Sequence, residues 1–536
     1  MNLEQILPYV QKPARYIGKE INSNTKPFSP DNLNILLAFP DVYDIGMSHL
    51  GLKILYHMLN EQNGISVERV FSPWPDMEEQ LRKHNMPLMS LETKTPINNF
   101  DVIGFSFQYE LSYTNFLQIL DLGKINFFRK ERKDAPLIIA GGPCVLNPEP
   151  VSDFIDLFVI GEAESAFSQI ADILKKYKKK GSIKNNKPDI LRLIIENIPG
   201  CYAPGLENKF PIKKNYEKNL DEVYYPTRQI VPYIEIVHDR AVLEIMRGCG
   251  RGCRFCQAGM IYRPIRERSL DVLLKQADEL VKNTGYEEIG LLSLSSADFS
   301  KIEDLVQALS HRYKDQGVSL SLPSLRIDSF TDKLASMIAG SKKTGLTFAL
   351  EAGSERLRNV INKNINIETF YNNIQFAKNA GWRLVKLYFM IGLPTETQDD
   401  LKEMIDVIKN IAKFMRVNVS IGNFVSKPHT PFQWRRMADR EYLQNAQKLI
   451  SSELKRVRNI KLSFSDINFT ILEAIFSRGS KELSSVIKEA YKSGCKFDAW
   501  TEYFNFDKWQ KVFDKLGFDY SYIYTGWNVD DNLPWD

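Results

Sequence analysis

Cysteine is scarce in this chain, six residues among 536, too few for a disulfide-stapled scaffold of that length. Long apolar runs are missing too: no stretch of ~18 consecutive apolar residues occurs, so no membrane-spanning helix is expected. The opening MNLEQILPYVQKPARYIG has no basic cluster ahead of an apolar core, so no secretory signal peptide is expected. Excess charge of one sign is absent. Lys and Arg number 70 against 66 Asp and Glu, a formal net charge of +4, and nucleic-acid binding is not evident from that balance. No internal repeat and no heptad run is present, which sets solenoids and coiled coils aside. What remains is a 43% hydrophobic, 25% charged composition, that of a globular protein with sizeable cores. At ~150 residues per domain the length suggests about three or four domains. A cytoplasmic enzyme in a reducing compartment is the starting expectation.

Short apolar runs alternate with helical patterns from about residue 33 to 170. LNILLAFP, DVIGFSF, APLIIAGGP and DLFVIGEAES read as buried strands, and MSHLGLKILYHMLN reads as an amphipathic helix between the first two. That alternation predicts an α/β unit with a doubly wound parallel sheet. Gly141, Gly142, Gly161 and Glu162 then fall at carboxyl strand ends, where such sheets bind ligands, although tight turns alone also account for the glycines. The basic stretch Lys175–Pro188 is read as a solvated helix end and loop. A second α/β pattern runs from about 237 to 450, with AVLEIMRGC, EIGLLSLSS, GVSLSLPSLRI, GLTFALEAGS, LVKLYFMIGLP and VNVSIGNFVSKP as strand-like runs. Six strand–helix repeats fall short of a closed eightfold barrel and predict a partial (β/α)6 barrel. A small α+β region follows. It opens on NIKLSFSDIN, read as a strand, and Trp500, Trp509, Trp527 and Trp535 near its end are read as core.

Three of the six cysteines fall in RGCGRGCRFCQAG, as Cys249, Cys253 and Cys256. Three soft thiolates on one short loop suit three corners of a cubane iron–sulfur cluster and leave one iron open to a ligand. Gly248, Gly250 and Gly252 give the loop freedom to wrap such a cluster, and Arg247, Arg251 and Arg254 add positive charge beside it. Structural zinc needs a fourth ligand. Cys144, Cys201 and Cys495 are isolated and no second pair completes a ribbon, which disfavours it.

This motif, with Phe255 just ahead of its last cysteine, resembles the signature of radical S-adenosylmethionine (SAM) enzymes. The resemblance extends through CRFCQAGMIYRPIRERS, LEAGSERLRNVINK, LYFMIGLPTET, KPHTPFQW, KPARYIGKE, AGGPCVLNPEP and the terminal LPWD, to an uncharacterised radical SAM family with an N-terminal domain similar to the cobalamin (B12)-binding fold. It implies a B12-binding-like domain over 1–210, a linker over 211–236, a radical SAM barrel over 237–455 and an aromatic-rich C-terminal region over 456–536. It also implies that Cys249, Cys253 and Cys256 hold a 4Fe–4S cluster whose open iron takes the amino and carboxylate groups of SAM. Reductive cleavage would then yield methionine and a 5′-deoxyadenosyl radical that acts on an unknown substrate. By the same resemblance, Glu351 and Gly353 in EAGS would contact the SAM amino group, and Gly392 and Glu396 in GLPTE would lie near the adenine. Ser295 and Ser296 are candidates for SAM polar groups; Arg326, Arg358 and Lys363 are candidates for its carboxylate. His429 is assigned either to substrate or to a loop cap. A low-potential electron donor, flavodoxin or ferredoxin, is implied as partner.

Cobalamin stays an open alternative. DIGMSHLG lacks the Asp-x-His-x-x-Gly string that supplies a lower axial histidine, and many relatives bind the cofactor without one. The rival readings are a tRNA-modifying methylthiotransferase, which needs a second cysteine triad this chain does not show, and a non-catalytic iron–sulfur or regulatory binding protein, which the SAM-like motifs disfavour.

Overall fold

In the run Leu33–Phe39 every residue is buried, as expected for a strand covered on both faces of a parallel sheet. This strand, β1, lies second in a six-stranded sheet whose order is β2-β1-β3-β4-β5-β6. The others are β2 (Ile65–Phe71), β3 (Val102–Ser106), β4 (Leu137–Gly141), β5 (Leu157–Val159) and β6 (Cys201–Tyr202). All neighbours run parallel except β5 and β6. The chain steps outward from β1 to β2 and then returns past β1 to β3, which puts a topological switch point between β1 and β3. The computed structural model describes residues 3–24, 26–179, 183–322 and 346–536. They fall into one unit of residues 1–239, 479–519 and 532–536, and a second of residues 240–478 and 520–531.

Several features of the first unit are settled by where its polar groups go. At Gly142 the backbone φ is 102° and a Cβ would overlap the Phe107 carbonyl, so this glycine permits a close approach of two strand-end loops. Glu162 accepts the Glu217 amide at 2.8 Å. In the basic stretch, Lys178 donates to Asp101 at 2.8 and 2.9 Å, and buried Lys187 donates to the carbonyls of Arg132 and Pro136. Those two lysines therefore serve the fold. The stretch expected as a linker over 211–236 is part of this unit, with Ile230 and Ile236 inside its core.

The second unit holds two parallel sheets. One has the order β11-β10-β7 and the other β12-β13-β14-β15. Their strands are β7 (Ala241–Glu244), β10 (Glu288–Leu292), β11 (Ser319–Ser321), β12 (Leu346–Glu351), β13 (Leu384–Ile391), β14 (Arg416–Asn423) and β15 (Ile460–Phe464). A small antiparallel hairpin, β8 (Met246–Arg247) with β9 (Arg266–Glu267), precedes β10. Helices cover one face. In Gln398–Ala412 the buried Leu401, Met404, Ile405, Ile408 and Ile411 recur at helical spacing, and a Thr397–Asp400 capping box fixes the start.

Each of the six expected strands is present among the described residues, and β15 adds one more. The segment that opens the expected C-terminal region joins the sheet because Ile460 and Leu462 fall in register with Val417 and Val419, extending the face that the helices cover. The rest of that region is divided between the units. Helix Leu483–Lys492 belongs to the first and buries Leu483, Val486, Ile487 and Ala490. In the same unit Trp500 Nε1 donates to Asp41 at the end of β1 at 3.0 Å, and the fully buried Asp498 accepts from Thr114 and Trp509. Residues 520–531 belong to the second unit, held by the amide of Met437 on the Ile523 carbonyl and that of Trp527 on the Trp434 carbonyl.

Candidate active site

The cysteine loop leaves β8 through Gly248 and ends on the short helix Gln257–Ile261. Gly248 has φ of 88°, and a Cβ there would stand 2.6 Å from the Pro264 carbonyl; Gly252 also has positive φ, 73°. Only glycine takes these turns without strain. Neighbouring elements pin the loop backbone. Asn362 Nδ2 donates to the Gly252 carbonyl at 2.9 Å, the Arg254 amide to the Ile361 carbonyl at 3.0 Å and the Phe432 amide to the Arg254 carbonyl at 3.3 Å. Arg263 donates to the Cys249 carbonyl.

All three thiols are partly exposed. Cys256 caps the helix, its sulfur accepting from the Gly259 amide at 3.3 Å. Burial pushes the Cys256 thiol up, and charge on Cys253 and Cys249 pushes it the same way, while Lys363 opposes them. The three sulfurs therefore share one field, and binding to a positive centre would favour their thiolates. Among the described residues no three or more His, Cys, Asp or Glu are gathered as a ready single-ion site. Three soft donors on a pinned, glycine-turned loop fit a 4Fe–4S cluster.

Glu351 ends β12 at a bulge in the pairing with β13, with a left-handed φ of 67° that a non-glycine residue seldom adopts. Its carboxylate accepts from Lys363 Nζ at 2.8 Å, the two side chains only 14% and 8% exposed. The same ammonium stands 6.0 Å from the centre of the Phe255 ring. Lys363 thus ties the end of β12 to the cysteine loop and faces Glu351.

The remaining sequence candidates are engaged locally. Gly353 packs against helix Gln398–Ala412, where a Cβ would overlap the Met404 backbone. Ser354, beside it, bonds to Asp400, which also accepts from Thr397 and Arg356. Asp400 was not visible as a site residue in sequence; its only signal was the Thr397-x-x-Asp400 cap spacing. Gly392 has φ of 76° and its amide donates to Glu396 Oε1 at 2.7 Å. Tyr442 donates to the same oxygen at 2.8 Å, while Oε2 is buried without a hydrogen-bond partner among the described residues. Burial pushes the Glu396 carboxyl up to about 7.

Ser295 donates to Asp298 at 2.7 Å, and Asp298 pairs with Arg251 of the cysteine loop. Ser296 shares a hydrogen bond with Ser293. Arg358 is buried and donates to the carbonyls of Ala352, Gly353 and Ile365. The His429 amide donates to Gln433. Arg326 lies outside the described residues.

In the first unit His49 Nδ1 accepts the Leu52 amide at 3.2 Å as a helix cap. Burial pushes its pKa down to about 4, so the ring is a neutral structural group. Cys201 and Cys495 are buried, their thiols pushed up to about 12.

Two family models match the chain: "Radical SAM proteins, N-terminal" over residues 51–204 and "Radical SAM superfamily" over residues 243–408. An uncharacterized protein of Methanocaldococcus jannaschii is 33% identical over 458 residues, covering 85% of this chain and 90% of that relative. A tRNA-2-methylthio-N(6)-dimethylallyladenosine synthase of Thermotoga petrophila is 26% identical over 45% of this chain and 56% of its own length. Among solved structures, the radical SAM methyltransferase TsrM from Kitasatospora setae, with cobalamin and a [4Fe–4S] cluster bound, aligns with a TM-score of 0.54 at 12% identity. That alignment covers 86% of this chain and all of TsrM, and shows a shared fold.

Proposed function

The chain belongs to the radical SAM superfamily, and on that premise we propose that Cys249, Cys253 and Cys256 hold its 4Fe–4S cluster and that Glu351 receives the SAM ammonium. The protein is an enzyme that uses its cluster and SAM to begin radical chemistry on a substrate. When bound, the cluster supplies the electron for reductive cleavage of SAM, chemistry that the fold leaves to its cofactors. The chain's own residues hold and orient. The observation that carries the reading is the pinned three-thiol loop joined through Lys363 to Glu351 at a strand end. A carboxylate there is suited to an ammonium, and Glu351 accepts from the Lys363 ammonium.

Group transfer with cobalamin in the N-terminal unit is supported by the likeness to TsrM, whose structure holds that cofactor. In that unit His49 Nδ1 is engaged as a helix cap. The methylthiotransferase reading has less support, because buried, high-pKa thiols such as Cys201 and Cys495 are poor ligands for a second cluster. A ferredoxin or flavodoxin is the proposed electron donor and the cytoplasm the proposed location. No helix of the described residues is long and apolar enough to cross a membrane.

The test is electron paramagnetic resonance of the anaerobically reconstituted, reduced protein, with and without SAM. A 4Fe–4S signal that shifts on adding SAM, and is lost in Cys253→Ala, is the expected result. A cluster signal indifferent to SAM would overturn the reading.

A further inference from the structure

The four-stranded sheet of the second unit has two unlike faces. Toward the helices it presents Leu387, Phe389, Val419 and Ile421, each at most 1% exposed. Toward the other side, register places Thr347, Lys386, Asn418 and Lys461 in one row across β12 to β15, and Ala349, Tyr388, Ser420 and Ser463 in the next. Lys386, Lys461 and Ser463 are exposed, and Tyr388 is 43% exposed. A closed (β/α) barrel fills this inner face with branched apolar side chains; here it is polar and wet.

The charge on that face is one-sided. Among the described residues neither the Lys386 nor the Lys461 side chain has a hydrogen bond or ion pair, and the two rows hold no acidic residue; Glu351, past the bulge at the end of β12, is held by Lys363. The lysines sit on β13 and β15, two strand spacings or ~10 Å apart at the backbone, close enough for their flexible stems to converge on one group. Glu351 and the cysteine loop lie at the carboxyl end of the same sheet, and the row of Lys386 and Lys461 lies three residues, ~10 Å, back toward its other end.

From this placement we infer that the substrate carries an anionic group, carboxylate or phosphate, which docks on Lys386 and Lys461 of this face. Tyr388, Ser420 and Ser463 line the path between that anchor and the reactive end. The inference rests on the radical SAM reading above and adds the class of substrate.

Calorimetric titration of the reconstituted full chain at low salt tests it, with pyrophosphate and citrate as the two probes. Wild type is expected to bind one or both, and the tighter of the two identifies the anion. The double variant Lys386→Met/Lys461→Met should bind that probe at least tenfold more weakly. Lys402→Met, which removes an exposed lysine paired with Asp399, should stay within twofold. Equal binding by the double variant and wild type, or no binding of either probe by wild type, would overturn the inference and leave the lysines as ordinary charges on a wet sheet. The SAM-dependent shift in the wild-type resonance spectrum is recorded on the same preparation. If it persists while anion binding fails, only the anion surface is lost; if it is absent, the radical SAM reading itself has failed.

Discussion

Glu396 offers a sharp way to separate a structural carboxylate from a ligand-binding one. Resemblance places it near bound SAM, whereas the structure turns its Oε1 inward onto the Gly392 amide and the Tyr442 hydroxyl and leaves Oε2 buried and unpartnered. Desolvation is the leading cause that lifts its pKa from 4.5 to about 7, against the lowering effect of those two hydrogen bonds. A carboxyl whose folded pKa is raised contributes stability below 4.5 and loses it as pH rises through about 7. Each tenfold change in proton affinity is worth about 1.4 kcal/mol, so at pH 8 the ionised side chain costs the second unit on the order of 3 kcal/mol relative to a neutral one.

Glu396→Gln removes the charge and keeps an oxygen for both donors. The variant should therefore be more stable than wild type at pH 8 by up to about 3 kcal/mol, less whatever its new buried N–H group costs. Between pH 8 and pH 5.5 the wild-type side chain takes up its proton and recovers about 2 kcal/mol, so the advantage should shrink by that amount. Because the chain has two units, a single global transition is not the right measure. Hydrogen exchange along a urea series, read on peptides from β13 and the helix Gln398–Ala412, reports the second unit alone. A difference independent of pH would refute the burial argument. The variant should also bind SAM within about threefold of wild type; a tenfold loss would move the carboxylate to the ligand.

Three further outcomes follow from the same geometry. Lys363→Met strands the Glu351 carboxylate without its cation, and should lower the stability of the second unit by about 3 kcal/mol, with Lys363→Arg recovering most of it in the same exchange assay. Gly353→Ala forces a methyl into the Met404 backbone and should cost about 1–3 kcal/mol; an unchanged urea midpoint would show that the turn can shift. In the first unit, burial raises the Asp498 carboxyl from 3.8 to about 6, so its charge weakens that unit increasingly as pH rises through 6. Asp498→Asn should raise the first unit's stability by up to about 3 kcal/mol at pH 8 and by less at pH 5, measured by exchange in helix Leu483–Lys492.

What could be read ahead of the structure was local. Cys249, Cys253 and Cys256 lie within one loop, so their chemistry is contained in their spacing, and the β/α alternation is carried by runs of a few residues each. Contacts between distant segments were not legible in the same way. Nothing near Trp500 says that its indole will bond to Asp41, and nothing in NIKLSF distinguishes an edge strand of the second sheet from a strand of a separate region until its register with β14 is known. Ser295, Gly353 and Glu396 sit in strand-end turns, and a tight turn engages its own polar groups, so the partners these residues have within the protein could not be read from their motifs.

A further pattern legible in the sequence is the alternation in LVKLYFMI. A parallel strand covered on both faces reads as a near-continuous apolar run, as β1 does. In β13 the apolar residues alternate with Lys386 and Tyr388, and its burial alternates with them. Such a strand cannot line a barrel packed shut, because Lys386 would then be a buried, unpaired charge that no neighbouring acid in its row neutralises. The exposed inner face of this sheet therefore follows from two residues in one strand.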